Sequence, residues 1–165
     1  MLLRLIAAGN RLPRWVNDGY EEYAARLTRE YRLELVEIPL GHRTQSRTTQ
    51  TDVSKAVRAE GQKMLAAVPA KSQLVALQVK GRAFTTEQLA DFLRVREQTG
   101  SPLAFCIGGP DGLDPEVDRR AEVRWSLSSL TLPHGLARIV VAEALYRAVS
   151  VLRGQPYHRA GTPSD

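Results

Sequence analysis

Three segments of this chain carry residues whose types and spacing could do chemistry. The first is Ile107-Gly108-Gly109-Pro110-Asp111-Gly112-Leu113, directly after an apolar run of strand character. Glycines at the carboxyl end of a parallel strand let a ligand approach the backbone, and open α/β sheets bind ligands at such ends. The segment matches neither the G-x-G-x-x-G fingerprint nor the G-x-x-x-x-G-K-[ST] phosphate loop, and Pro110 removes one amide from any phosphate cradle. Taken alone, it reads first as a tight turn. The second segment, Trp125-Ser126-Leu127-Ser128-Ser129-Leu130-Thr131-Leu132-Pro133-His134, is nearly free of charge. Small hydroxyl residues among leucines suit a loop that holds an uncharged ring by backbone amides and carbonyls, and Pro133 and His134 stand where a helix begins, with free amide donors. His134 is equally a packing or capping histidine. The third is the tail Arg153-Gly154-Gln155-Pro156-Tyr157-His158-Arg159, where an aromatic ring beside His and Arg can stack on a base and neutralise phosphate; a frayed end is the plain alternative.

Other chemistries find no support. The three histidines, His42, His134 and His158, are far apart in sequence and lack nearby ligands, so no metal site is expected. Cys106 is the only cysteine; it excludes an internal disulfide, and its setting in Leu103-Ala104-Phe105-Cys106-Ile107 favours a buried small residue over a nucleophile.

These segments must be positioned by a scaffold. Strand-like runs at Leu2 to Ala8, Leu33 to Ile38, Gln73 to Val79, Leu103 to Ile107 and near Val123 to Leu127 alternate with helix-like segments, with no linker or repeat between them. The alternation predicts an α/β fold: a mostly parallel sheet with flanking helices, in one domain spanning 1–165. Pro13 suits the start of a helix with Val16, Tyr20, Tyr23, Ala24 and Leu27 on one stripe. A second helix is expected from about Asp52 through Val57, Gly61 and Met64. Thr85-Thr86-Glu87-Gln88 resembles the cap of a third, bearing Leu89, Phe92 and Leu93. Between Pro39 and Thr51 the sequence is polar and basic, without an acid, and reads as a mobile loop. The last helix, roughly Leu136 to Leu152, is apolar on more than one face. A helix lying on a sheet needs one apolar stripe, so this one must be covered on a second side. A second copy of the chain is the leading cover, and deeper burial within one subunit is the alternative.

Composition bounds the rest. In 165 residues, 43% are hydrophobic and 25% charged, which excludes a disordered chain or a disulfide scaffold. No stretch approaches the roughly 18 uncharged apolar residues a membrane span needs. Arg4 interrupts the apolar opening, which therefore reads as a strand rather than a signal peptide, and a cytoplasmic location is expected. The net charge is +5, and 19 of the 23 basic residues are arginine. Such a surface suits phosphate and RNA, although a compositional preference for arginine explains it equally well.

Taken together, Ile-Gly-Gly-Pro-Asp-Gly, Leu-Ser-Ser-Leu-Thr-Leu-Pro-His, the following Val-Ala-Glu-Ala-Leu-Tyr-Arg-Ala and the terminal Pro-Tyr-His-Arg resemble the RlmH family of the SPOUT superfamily. These are small bacterial methyltransferases acting on N3 of a pseudouridine in 23S ribosomal RNA. The resemblance covers nearly the whole chain, and the combination is far more specific than any one motif. It implies a C-terminal trefoil knot, an exception to unknotted topology that periodicity does not reveal. It also implies a homodimer and S-adenosylmethionine held by the knot loops. Carried to matching positions, the cofactor residues are Leu77 and Gln78, then Gly108, Gly109 and Gly112, then Ser128, Ser129, Leu130, Thr131, Leu132 and Pro133. His134, Arg138, Tyr157, His158 and Arg159 fall on the side of the RNA and target base, with the tail expected beside the cofactor loops of the other subunit. The acceptor of the N3 proton stays open among His134, a tail residue and water. A non-catalytic ribosome-binding protein is the competing class, which cofactor binding discriminates. A nucleotide-binding α/β enzyme is disfavoured by the missing phosphate loop.

Overall fold

The structure is a computed structural model that describes residues 1–27, 30–42 and 49–155. Five strands, β1 (Leu2–Ala8), β2 (Arg32–Ile38), β3 (Gln73–Ala83), β4 (Leu103–Ile107) and β5 (Val123–Ser126), form one sheet in the order β2-β1-β4-β3-β5. Every pairing is parallel. Helices α1 (Arg14–Ala24), α2 (Gln50–Ala67), α3 (Thr86–Thr99) and α4 (Pro115–Arg120) supply the crossovers, and α5 (His134–Leu152) follows the last strand.

The strands alternate their side chains between two cores. Leu3, Leu5 and Ala7 of β1 join α1, α3 and α5 on one face, while Ile6 and Ala8 meet Met64 of α2 and Val117 of α4 on the other. With helices on both faces, strands read as nearly continuous apolar runs, and β4 is buried at all of its positions. Cys106 belongs to this interior, and burial pushes its thiol up to about 12.

Local sequence accounts for where the helices begin. Thr85 caps α3 in a reciprocal capping box with Gln88, and Thr49 does the same for α2 with Asp52. Each such cap is worth about 1 kcal/mol. Pro13 occupies the residue before α1 rather than its first turn. The short helix α4, which the sequence reading passed over, has Asp114 accepting from the Glu116 amide and Pro115 in its first turn.

Two elements differ from expectation in ways that matter for the site. Strand β3 runs on to Ala83, pairing with β5 once at Val75 to Leu77 and again at Arg82 and Ala83, with a shift of register between. The backbones come so close there that a Cβ on Gly81 would fall 2.7 Å from the carbonyl of Arg124. Helix α5 is covered largely within the subunit: it packs between α1 and α3 and buries Ala137, Arg138, Val141, Ala142, Leu145, Ala148 and Val149. The expected burial of two faces is therefore met in good part by the chain itself. Of the polar stretch after Pro39, residues 43–48 lie outside the described residues. Among the described residues, no helix is long and apolar enough to cross a membrane.

Candidate cofactor site

The middle of β3, at Leu77 to Val79 where its pairing with β5 is interrupted, and the loops after β4 and β5 enclose a cavity of about 550 Å³. Its lining contains Leu77, Gln78, Gly108, Gly109, Gly112, Ser128, Leu130, Thr131, Leu132 and Pro133, so three segments far apart in sequence converge as expected. Ser129 belongs to the same loop but does not line the cavity. Ile107, Pro110, Leu113, Trp125 and Leu127, from the same two segments, complete the wall with Val79 and Ala137, which no sequence motif marks. Most of them are apolar, and their run-like setting reads as core.

The β4 loop closes as a turn in which the Gly112 amide donates to the Gly109 carbonyl at 3.0 Å. Gly112 adopts φ +86°, a conformation that favours glycine. A Cβ on Gly108 would stand 2.4 Å from the carbonyl carbon of Gly112, so the two backbone strands of the turn touch where any side chain would part them. The result is a wall of bare backbone against the cavity.

The β5 loop is fixed by its hydroxyls. Ser126, buried, lies within hydrogen-bond reach of the Val79 and Ser128 carbonyls at 2.9 and 3.0 Å. The Leu130 amide donates to the Ser128 hydroxyl at 3.0 Å. The side chain of Gln78 donates to Asp118 of α4 at 3.1 Å, where Arg124 also binds. Behind the cavity, Trp125 meets Phe84 and Phe105 edge-on, with ring centroids 6.1 and 6.0 Å apart. Such pairs make a stiff floor.

His134 opens α5 at the mouth of the cavity, and its ring rests against Gly9, whose φ of +99° and missing side chain admit it. Partial burial, and then the Arg138 cation, hold its pKa below the ordinary 6.5, so the imidazole is neutral at neutral pH. A neutral imidazole can accept a proton. Arg138, one turn further along, does not line the cavity. It is fully buried, ion-paired to Glu37 at 2.9 Å and donating to the carbonyls of Ala8 and Gly9. It thus ties α5 to the ends of β1 and β2. Tyr157, His158 and Arg159 lie outside the described residues.

The donor set fits an adenosine-bearing cofactor: an apolar floor for a flat ring, rims of backbone, and a volume in the range of small-molecule sites. Comparison with known proteins points the same way. The sequence profile of the family described as "Predicted SPOUT methyltransferase" matches residues 1–158. A ribosomal RNA large subunit methyltransferase H from Marinomonas sp. (strain MWYL1) is 46% identical over 96% of this chain and the whole of the relative. The protein of that name from Pseudomonas paraeruginosa (strain DSM 24068 / PA7) is 51% identical over the same shares. Among solved structures, a probable methylase family protein from Haemophilus influenzae Rd KW20 superposes with a TM-score of 0.54, covering 98% of this chain and 72% of that one. At 12% identity that likeness speaks to the fold alone. The chain belongs to the SPOUT methyltransferase family and, by its full-length relatives, to the RlmH branch of it.

Proposed function

We propose that this protein is an S-adenosylmethionine-dependent methyltransferase that methylates N3 of a pseudouridine in 23S ribosomal RNA. The observation that carries the reading is the convergence of mid-β3 and the loops after β4 and β5 on one cavity, in a chain nearly half identical over 96% of its length to large-subunit ribosomal RNA methyltransferases. When bound, S-adenosylmethionine supplies an electrophilic sulfonium methyl group. Leu77, Gln78, Gly108, Gly109, Gly112 and the loop from Ser128 to Pro133 hold it, chiefly through backbone. Trp125, Ile107 and Ala137 exclude water behind it. The imide proton of N3 leaves to His134, which faces the cavity in its neutral form. Arg138 acts from behind, through the backbone it holds. Tyr157 stacks on the target base and Arg159 meets RNA phosphate.

Three further features belong to this reading. The protein is a homodimer, supported by the half-exposed outer side of α5 at Val140 and Ala144 and by exposed Leu136. The C-terminal part is knotted, a reading supported by membership of the family and compatible with the interrupted pairing of β5 along β3 and the close approach of their backbones at Gly81; a chain trace that pulls straight through 73–152 would remove it. The chain forms one domain and works in the cytoplasm, where its substrate is.

The test is transfer of labelled methyl from S-adenosylmethionine to free ribosomal RNA, separate subunits and whole ribosomes. Label in large-subunit RNA in one of the three supports the reading. Retained ribosome binding without cofactor binding or label in any of them favours the non-catalytic binding protein.

A further inference from the structure

Helix α2 lies on the face of the sheet opposite α5 and lines no part of the cavity, yet two adjacent residues in it reach the cofactor turn from behind. Glu60 is almost completely buried, at 2% exposure. A carboxylate is rarely buried without a structural task, since leaving water costs it several kcal/mol unless hydrogen bonds compensate. Its Oε1 accepts from the Gly41 amide at 2.7 Å. Gly41 in turn sits so close to α2 that a Cβ there would fall 2.7 Å from the backbone of Ala56. The corner that follows β2 is therefore pressed against the helix and pinned by the carboxylate.

That corner delivers Leu40. Its Cδ2 stands 2.9 Å from where Gly109 would carry a Cβ, with Ala8 Cβ at 3.4 Å and Glu60 Oε2 at 3.6 Å from the same point. Gly109 has no positive φ, so a side chain there is resisted only by space, and the first atom it meets is the tip of the partly exposed Leu40 side chain, which would have to move. The neighbouring residue completes the contact at the other end of the loop: a Cβ on Gly61 would lie 2.2 Å from the Asp114 carboxylate, which caps α4. Glu60 and Gly61 thus support both ends of the segment 109–114, one through Leu40 and one directly.

We propose that Glu60 is a positioning residue for cofactor binding: by holding the Gly41 amide it keeps Leu40 packed on Gly109, and so sets the shape of the turn that faces the cofactor. This rests on the reading that the turn binds S-adenosylmethionine. Preorganisation of this kind acts on affinity, because a loosened turn must be ordered at the moment of binding.

The test combines substitution with calorimetric titration of S-adenosylmethionine and steady-state kinetics. Glu60→Ala raises the dissociation constant and the cofactor KM about tenfold and leaves kcat at saturating cofactor within about twofold. Glu60→Gln, which keeps a carbonyl oxygen to accept from Gly41, recovers most of the affinity. Gly109→Ala weakens binding because its methyl meets Leu40, and Leu40→Ala in the same chain relieves it. Equal affinity of wild type and Glu60→Ala overturns the proposal, as does a double variant no better than Gly109→Ala; the second arm decides even if Glu60→Ala does not fold. A wild type that binds no S-adenosylmethionine removes the cofactor reading and this proposal with it, whereas a binding wild type with unaffected variants removes this proposal alone.

Discussion

At the scale of single residues, the site depends on what is absent as much as on what is present. Gly108 and Gly112 meet backbone to backbone, with no room for a methyl group between them. Gly108→Ala is expected to weaken S-adenosylmethionine binding by at least about tenfold, roughly 1.4 kcal/mol, in a protein that still unfolds cooperatively; unchanged affinity by calorimetry would take the turn out of the site. His134 makes a prediction of opposite character. Its pKa is lowered, so the neutral form that accepts a proton predominates at neutral pH and is lost as pH falls through a midpoint below 6.5. The acid limb of kcat/KM should therefore lie below that of an ordinary histidine, and His134→Gln should abolish the limb along with most of the rate. An acid midpoint at or above 6.5 would speak against His134 as the base. The glycines were legible in the sequence as loop formers. Their mutual contact was not, because it depends on how the turn folds back.

At the scale of elements, α5 shows how far periodicity reaches. Its apolar character on more than one face correctly demanded cover on a second side, but periodicity does not say whose surface supplies it, and α1 and α3 supply much of it. The family resemblance places Arg138 on the side of the RNA and target base. Its position is interior, bound to Glu37 and two strand-end carbonyls. Arg138→Leu should cost about 2–4 kcal/mol in denaturant unfolding, since it leaves those oxygens without their donor. Removing the cation should also shift the acid limb of the pH profile upward. A stability loss under about 0.5 kcal/mol would contradict this. The strand bounds of β1 and β4 were readable to the residue because both are buried apolar runs. The extension of β3 through Lys80, Gly81 and Arg82 was not, since it looks like a turn and is ordered only by pairing with β5. Helix α4 is too short to show a period, although Asp114 and Pro115 mark its start.

At the scale of the whole molecule, a small α/β chain closes two distant loops around one cavity and backs them with the sheet, whose strand β3 lines the cavity itself. The loops were legible as motifs. The cavity itself was not, because Val79 and Ala137 face it from positions that in sequence are simply strand and helix core. The proposed homodimer should sediment at about twice 18.3 kDa, and a stable monomer at micromolar concentration would remove any site shared between subunits. The central claim is methylation of one nitrogen of one modified base, and nucleoside mass spectrometry tests it most directly. Ribosomal RNA is treated with the protein and methyl-labelled S-adenosylmethionine, digested, and its nucleosides separated. Label is expected in a single nucleoside of the large-subunit RNA, N3-methylated pseudouridine, and none when pseudouridine is replaced by uridine at the target. Label in any other nucleoside, or none from a substrate the protein binds, would contradict it.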